Sequence, residues 1–285
     1  MQVTFWGTRG SLPSPRPGTT RYGGNTSCVS LRLSDGSAVV LDAGTGIHRL
    51  ADFGPDTTRV DVLLSHLHMD HIIGLGFFGA LFQPDLEVHL WGPPSATLDL
   101  RARLSRYLSP PLFPVRLRDL PCKLELHGAP RGTFDLPGAA VTADLVCHPG
   151  PTLGYRLEAD GAVLAYIPDH EPALADDGFP GRPDWISGFA LMAGADLLIH
   201  DAQYSDEEYP AHVGWGHSTI SQAMALAEAA EVATLAAFHH DPNHNDNQLD
   251  RLFAAADEKR DWSFRLSPAC EGVTVLLGRQ GAWRR

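Results

Sequence analysis

The sequence lacks any run of basic residues, and its charge balance is strongly acidic. The chain holds 22 Lys and Arg against 34 Asp and Glu, which gives a formal net charge of -12. Such a charge repels a long phosphate backbone unless basic residues gather locally. The stretch richest in arginine, residues 101–106, has the spacing of an exposed helix face. We therefore expect a small substrate and no long nucleic acid as a partner.

Cysteine is scarce, and long apolar segments are missing. The four cysteines are far apart and form no C-x-x-C pair, which excludes a disulfide framework or a zinc knuckle. Reduced thiols fit a cytoplasmic location. Residues 1–6 lack the apolar stretch of a signal peptide, and no segment has the length needed to span a bilayer. We therefore expect a cytoplasmic protein that does not insert into membranes.

The composition is that of a globular protein with a sizeable core. Hydrophobic residues make up 44% of the 285 residues and charged residues 20%. This length is within the range of one layered α/β domain, and no linker divides the chain, so we expect a single domain over residues 1–285. The sequence leaves both a monomer and a homodimer open.

Strand-like and helix-like segments alternate in both halves of the chain. The patterns predict strands at residues 3–6, 28–33, 38–41, 60–64, 86–91, 141–146 and 195–199, and a hairpin over 154–167. They predict helices from residue 72 to 82 and at 96–108, 219–231 and 247–260. Sheet followed by helix in each half indicates two sheets packed face to face with helices outside. The irregular loop at residues 7–26 is long enough to wall a pocket.

A cluster of histidines follows the strand predicted at residues 60–64. The segment S-H-L-H-M-D-H places His66, His68, Asp70 and His71 at the C-terminal edge of a sheet, where ligand sites of α/β proteins gather. In an extended segment His66 and His68 point to one side and can share a metal, while the turn into the next helix presents the other two to a second metal. With 14 histidines in 285 residues, a chance cluster of this kind is improbable. We therefore interpret the segment as a metal site.

The H-x-H-x-D-H signature resembles that of the metallo-β-lactamase superfamily. The resemblance implies a four-layer αβ/βα sandwich of two mixed β-sheets and a centre for two divalent metal ions per chain. It also selects His148 in V-C-H-P-G, Asp169 in Y-I-P-D, and His239 in place of the adjacent His240. The ligand set that it implies is His66, His68 and His148 for one ion, Asp70, His71 and His239 for the other, and Asp169 between them. Imidazole and carboxylate ligands suit zinc, and manganese or iron is compatible.

Within the superfamily the chain is most similar to the ribonuclease Z and phosphodiesterase branch. The resemblance rests on F-W-G-T at the start, D-L-L-I-H-D at residues 196–201 and G-H-S-T at residues 216–219. It implies that His217 donates a proton to the leaving oxygen and that Asp201 orients this histidine. Asp201 replaces the usual Glu, which shortens the reach of the carboxylate. The alternative is that His217 is a helix N-terminal residue packed beside its cap and Asp201 a solvated strand end, but catalysis is the favoured interpretation.

Three classes of function follow from these residues. The first is a phosphodiesterase for small phosphodiesters such as cyclic nucleotides, in which two metal ions activate a water, Asp70 orients it and His217 is the general acid. A ribonuclease Z-like nuclease is the close alternative, although the chain shows no basic Gly/Pro-rich insertion for gripping tRNA. The second class is hydrolysis of a lactam or a thioester by the same fold. The third, a redox module, requires a flavin domain that the chain does not contain.

Two Gly-rich loops offer a further, weaker interpretation. Residues 7–10 and 23–27 carry backbone N–H groups that could meet an anion, with Arg9 or Arg21 as its partner. Tight turns between strands explain the glycines equally well. The segment D-A-G-T-G at residues 42–46 is familiar to this fold as a structural turn beside the site.

Overall fold

The computed structural model describes residues 1–50, 53–54, 57–172, 182–259 and 261–278. Within these ranges the strands form two mixed sheets of seven strands each. The first sheet contains β1 (Gln2–Gly7), β2 (Cys28–Arg32), β3 (Ala38–Leu41), β4 (Arg59–Leu63), β5 (Glu87–Gly92), β6 (Lys123–Gly128) and β14 (Thr274–Leu276). The second contains β7 (Gly132–Leu136), β8 (Ala139–Leu145), β9 (Leu153–Ala159), β10 (Ala162–Ile167), β11 (Leu197–Asp201), β12 (Thr234–Phe238) and β13 (Arg265–Leu266).

Each sheet joins an antiparallel part to a parallel part. The first has the order β14-β1-β2-β3-β4-β5-β6, and the second has the order β13-β12-β11-β10-β9-β8-β7. From β3 to β6 neighbouring strands run parallel, as do those from β10 to β13. The carboxyl ends of β4, β10, β11 and β12 therefore supply the loops in which the sequence predicts chemistry.

Helices cover the outer face of each sheet. The α-helices are α1 (Met69–Ile72), α2 (Leu100–Leu104), α3 (Phe189–Met192), α4 (Ile220–Ala229) and α5 (Asp246–Asp257). Thr219 begins α4 with a capping box, in which its side chain accepts from the Gln222 backbone, and Asn245 does the same for α5. No helix within the described ranges combines the length and apolar character needed to cross a membrane.

Three apolar clusters account for the layered architecture. One lies between the two sheets and includes Phe5, Tyr155 and Phe238, all at most 1% exposed. The other two lie between each sheet and its helices, around Phe78 and around Met224. The predicted four-layer αβ/βα sandwich of two mixed sheets is confirmed.

Two predicted helices are shorter than the apolar spacing indicates. The segment from residue 72 to 82 forms the end of α1 and then two 3₁₀ turns, Leu75–Phe77 and Gly79–Phe82. Gly74 packs against the Gly44 carbonyl oxygen, where a Cβ would lie 2.1 Å from it, so close backbone packing is favoured over a regular helix. The helix predicted at residues 96–108 is limited to α2. Strands β6, β7, β13 and β14 were not predicted.

Candidate metal centre

Residues that are distant in sequence meet at one edge of the two sheets. The segment after β4 carries His66 and His68 and enters α1 with Asp70 and His71. The other four side chains follow strands of the second sheet or a loop beside them. They are His148 after β8, Asp169 after β10, His239 after β12, and His217 just before α4.

One group of ligand atoms gathers around His66. His68 Nδ1 lies 3.1 Å from His148 Nε2. Asp169 Oδ2 lies 3.7 Å from His66 Nε2 and 3.6 Å from His148 Nε2. These four side chains are the ones predicted for the first metal ion.

A second group gathers on the other oxygen of the Asp169 carboxylate. Asp169 Oδ1 lies 3.1 Å from His71 Nε2 and 3.4 Å from His239 Nε2. Asp70 Oδ2 lies 3.3 Å from both imidazole nitrogens, which are themselves 3.3 Å apart. A tetrahedral ion with metal–nitrogen bonds of about 2.0–2.1 Å requires ligand atoms about 3.3 Å apart, so this group has the spacing that such an ion needs.

Two buried atoms test whether a metal fits. His66 Nε2 and Asp169 Oδ1 are buried, and neither has a hydrogen-bond partner among the described residues. Buried polar atoms are almost always satisfied, and leaving one unpaired costs about 1–3 kcal/mol. Both atoms are aimed at positions where a bound cation would satisfy them. The residues present therefore fit two divalent ions, with Asp169 facing both.

The carboxylates dominate the electrostatics of the centre and attract positive charge. Burial lowers the pKa of His71, but Asp169, Asp70 and Asp42 outweigh it and raise that pKa well above its usual value. Burial raises the pKa of Asp70, but the imidazoles of His71 and His239 outweigh it and hold that pKa well below its usual range. Burial, together with the neighbouring His71, holds the pKa of His66 well below its usual value. An ionised carboxylate and a neutral imidazole are the forms that bind metal ions.

Asp42 orients one side of the centre, and its role was not predicted. Its Oδ2 atom accepts hydrogen bonds from His71 Nδ1 at 2.7 Å, Ser65 Oγ at 2.8 Å and the Tyr166 hydroxyl at 2.8 Å. Its Oδ1 atom accepts from the Ser65 backbone N–H at 2.7 Å. Fixing Nδ1 in this way directs Nε2 of His71 into the centre. The D-A-G-T-G turn was the available signal, but it was interpreted as structural alone.

Two further imidazoles are held in the same manner. His239 Nδ1 donates to Gln203 Oε1 at 2.9 Å, and His148 Nδ1 donates to the Gly216 carbonyl oxygen at 2.8 Å. Gly216 has φ of +90°, and a Cβ there would lie 2.3 Å from His148 Nδ1. Only glycine allows the loop to approach His148 this closely.

His217 and Asp201 form a pair beside the ligand groups. His217 Nδ1 donates to Asp201 Oδ2 at 2.8 Å, so the shorter carboxylate still reaches the imidazole. The His217 ring stacks on His239 with centroids 4.9 Å apart. Burial lowers the pKa of His217, but Asp201 outweighs it and raises that pKa to about 9. Because Nδ1 is bonded to Asp201, Nε2 is the nitrogen that can donate a proton to a bound molecule.

Glu171 holds the loop that carries His217, and sequence reasoning missed it. This carboxylate is 1% exposed and accepts hydrogen bonds from the backbone N–H groups of Gly214 and Gly216, each at 2.7 Å. It also accepts from the Tyr209 hydroxyl at 2.8 Å. The signal was a second acid two residues after Asp169.

The loop at residues 7–26 lines the centre, as expected. The Ser11 backbone N–H donates to Asp70 Oδ2 at 2.8 Å. A Cβ on Gly10 would lie 2.3 Å from His239 Nδ1, so this backbone packs directly against the histidine.

The suggestion that Arg9 or Arg21 meets an anion is wrong for Arg9. Its side chain is fully buried, and its guanidinium donates to the carbonyl oxygens of Gly23, Asp241 and His244. Arg9 therefore ties the loop to the segment after β12. Arg21 is half exposed and pairs with Asp250 at 2.7 Å. The neighbouring His240 is fully buried behind the centre, where its Nε2 donates to the Ala269 carbonyl oxygen at 2.8 Å.

Comparison with known proteins agrees with this fold. The family model described as "Beta-lactamase superfamily domain" matches residues 38–240. A curated ribonuclease Z of Myxococcus xanthus is 27% identical over 319 residues, covering 97% of this chain and 98% of the relative.

Solved structures with the same fold also include a nuclease. Human tRNase Z, short form, superposes with a TM-score of 0.65 and 21% identity, covering 97% of this chain and 99% of the other. A diphosphatase from the PhnP family superposes with a TM-score of 0.66 and 17% identity, covering 96% of each chain.

The expectation that no long nucleic acid is a partner is wrong in the light of these relatives. They include proteins named ribonuclease Z and a tRNase Z, whose names specify RNA and tRNA as substrates. The expectation rested on the net charge of -12, which is a sum over the whole chain. Binding of a phosphate backbone depends instead on the local charge around the site.

Proposed function

Because the chain belongs to the beta-lactamase superfamily, we propose that it is a metal-dependent hydrolase that cleaves phosphodiester bonds in RNA. The observation that carries the proposal is the His217–Asp201 pair beside two groups of metal-ligating atoms. Hydrolysis of a phosphodiester at a metal centre needs an activated water, and the alkoxide that leaves needs a proton. The pair supplies a donor for that proton.

The metal ligands are part of the same proposal. His66, His68, His148 and Asp169 would hold one divalent ion, and Asp70, His71, His239 and Asp169 the other, with zinc favoured by the donor set. Bound there, two divalent ions supply Lewis acidity, which lowers the pKa of water from about 15.7 toward about 7 and neutralises charge on a phosphoryl group.

Asp70 and His217 have different tasks in the reaction. Asp70 Oδ2 belongs to the second ligand group and is fixed by the Ser11 N–H. The Asp70 carboxylate would also orient the attacking water. His217 Nε2 protonates the departing oxygen, while Asp201 keeps the imidazole in the required tautomer and stabilises its charged form.

An exposed aromatic side chain supports RNA as the substrate. Trp215 is 60% exposed, two residues before His217, on the loop that Glu171 fixes through Gly214 and Gly216. Its ring contacts His212 at a centroid distance of 4.9 Å. An indole held at this position offers a stacking surface for an unpaired base of a bound RNA strand.

Small phosphodiesters are the second candidate substrate class. The structural similarity to a diphosphatase of the PhnP family favours them. They require the same centre and the same proton donor, and they make no demand on Trp215. The two substrate classes therefore differ in whether Trp215 contributes to binding.

A substrate panel tests the proposal. Metal-loaded protein is assayed against a short single-stranded RNA, a tRNA with a 3′ extension, a cyclic nucleotide, bis-p-nitrophenyl phosphate and a lactam. We expect hydrolysis of the phosphodiesters, with the highest kcat/KM on an RNA, and no turnover of the lactam. Turnover of the lactam without cleavage of any phosphodiester would refute the proposal. A higher kcat/KM on the cyclic nucleotide than on either RNA would select the second substrate class.

A further inference from the structure

A second cluster of metal-ligating side chains lies away from the centre described above, in the parallel part of the first sheet. His89 is on β5, and Glu125 and His127 are on β6, the edge strand. His89 pairs directly with Glu125 in the β5–β6 register, and His127 lies two residues further along the same strand. Residues two apart on a strand share a face of the sheet, so all three side chains emerge on one face.

The ligand atoms of this cluster converge. His89 Nδ1 lies 2.9 Å from His127 Nε2. Glu125 Oε2 lies 3.8 Å from His89 Nδ1 and 3.7 Å from His127 Nε2. These distances fall on both sides of the separation of about 3.3 Å that a tetrahedral zinc ion requires. Small rotations of the side chains would equalise them.

The surroundings of this cluster favour neutral imidazoles, which can bind a metal ion, over protonated ones. His89 is 7% exposed, whereas the Glu125 side chain is 63% exposed and can swing toward the imidazoles. The two rings are nearly coplanar, at 6°, and face each other edge to edge. Burial and the neighbouring His89 lower the pKa of His127, which favours a neutral ring with a lone pair. The nearby Asp61 is occupied by Arg59 and by the Trp91 indole N–H.

We propose that His89, Glu125 and His127 bind a third divalent metal ion, of the class that prefers imidazole ligands, such as Zn²⁺ or Cu²⁺. Three protein ligands leave one position of a tetrahedral ion open to water. The ion would join edge strand β6 to β5 through side chains, in addition to the backbone ladder. The alternative is that the two imidazoles only share a proton in an N–H···N hydrogen bond.

Metal stoichiometry distinguishes the two. The intact protein is saturated with Zn²⁺, passed through a desalting column and analysed for zinc per chain. We expect three equivalents for the wild type and two for His127→Ala, with phosphodiesterase activity unchanged. His48→Ala is the matched control, because His48 is an exposed histidine outside either cluster, and it should keep three. Equal zinc content in the wild type and His127→Ala would overturn the proposal.

A spectroscopic signal covers the case in which the substitution perturbs the fold. The Trp91 ring stacks on His127 with centroids 4.1 Å apart, so Cu²⁺ bound at the cluster should quench its fluorescence. The Trp91 signal is obtained as the difference between the wild type and Trp91→Phe. In the wild type, we expect one bound Cu²⁺ to quench the Trp91 signal. In the double variant Glu125→Gln/His127→Asn, we expect the Trp91 signal to be at least 10-fold less sensitive to Cu²⁺. Quenching that does not saturate, or that is the same in both proteins, would contradict the proposal.

Discussion

The His217→Ala substitution separates proton donation from metal binding. In the structure His217 donates to Asp201 through Nδ1 and stacks on His239. It also lies close enough to His148 and Asp169 to be a metal ligand itself, so metal content is measured beside the rate. General acid catalysis contributes about 10²- to 10⁴-fold to rate, which corresponds to about 2.7–5.5 kcal/mol of transition-state stabilisation. We therefore expect kcat to fall by about this factor on substrates with an alkoxide leaving group, with two metal ions retained at the centre.

The leaving group provides the internal control. p-Nitrophenolate departs without a proton, so the loss on bis-p-nitrophenyl phosphate should be much smaller than the loss on an RNA or dialkyl ester. Asp201→Asn should show the same dependence in weaker form, because Asp201 acts only through the imidazole. His48→Ala removes an exposed histidine that lies outside both ligand groups, and it should change little. Steady-state kinetics and metal analysis check these outcomes. An equal loss on both leaving groups, or a loss of metal in His217→Ala, would refute the general-acid role.

Three further substitutions test other parts of the account. Asp169→Ala should lose metal and activity together, because the two carboxylate oxygens of Asp169 face both ligand groups. Unchanged metal content by elemental analysis would show that Asp169 does not bridge them. Glu171→Gln should reduce the free energy of unfolding by about 1.5–3 kcal/mol, the value of hydrogen bonds to a charged group, and should lower kcat most with alkoxide leaving groups. Denaturant titration measures the first effect and kinetics the second, and unchanged values would contradict the role of Glu171. Trp215→Ala should raise KM for RNA by about 5- to 150-fold, from the energy of one stacked base, with Trp215→Phe largely retaining it; an equal change with bis-p-nitrophenyl phosphate would contradict stacking.

The proposed metal-binding segment could be found in the sequence because its residues are neighbours in the chain. His66, His68, Asp70 and His71 lie within six positions after a strand, so their local geometry follows from the strand and the turn. His148, Asp169 and His239 were identified only through the resemblance. The structure brings all seven together, but their roles as ligands remain a proposal.

The residues that orient the centre could not be found in this way. Asp42, Gln203 and Glu171 act through contacts with segments 29, 36 and 45 positions away. The D-A-G-T-G turn and the second acid after Asp169 were signals for Asp42 and Glu171, but local sequence does not distinguish a buried acceptor from a solvated polar residue, because tertiary packing makes that distinction. Strand β6 was missed for a different reason: polar and apolar residues do alternate in K-L-E-L-H-G, but the run is short and contains only two apolar residues.

The apolar spacing at residues 72–82 predicted most of the buried side chains but not the backbone conformation. Ile72, Leu75 and Phe78 are buried in the same cluster, as the pattern requires, but Phe82, the last residue of the pattern, is 43% exposed, and Leu81 is buried in its place. The backbone breaks into 3₁₀ turns because Gly74, Gly76 and Gly79 lower helix propensity, and Gly74 and Gly76 also allow close packing. Periodicity therefore predicted the buried face, while the glycines determined the backbone.

The measurement that tests the central claim most directly is the rate of RNA cleavage as metal is returned to the chelated protein. The His127→Ala variant is used, so that Zn²⁺ titrates only the metal centre at the edge of the two sheets and not the His89–Glu125–His127 cluster. We predict that chelation abolishes cleavage, and that adding Zn²⁺ restores it up to two equivalents per chain. Cleavage that survives chelation, or that is fully restored by one equivalent, would contradict a two-metal centre.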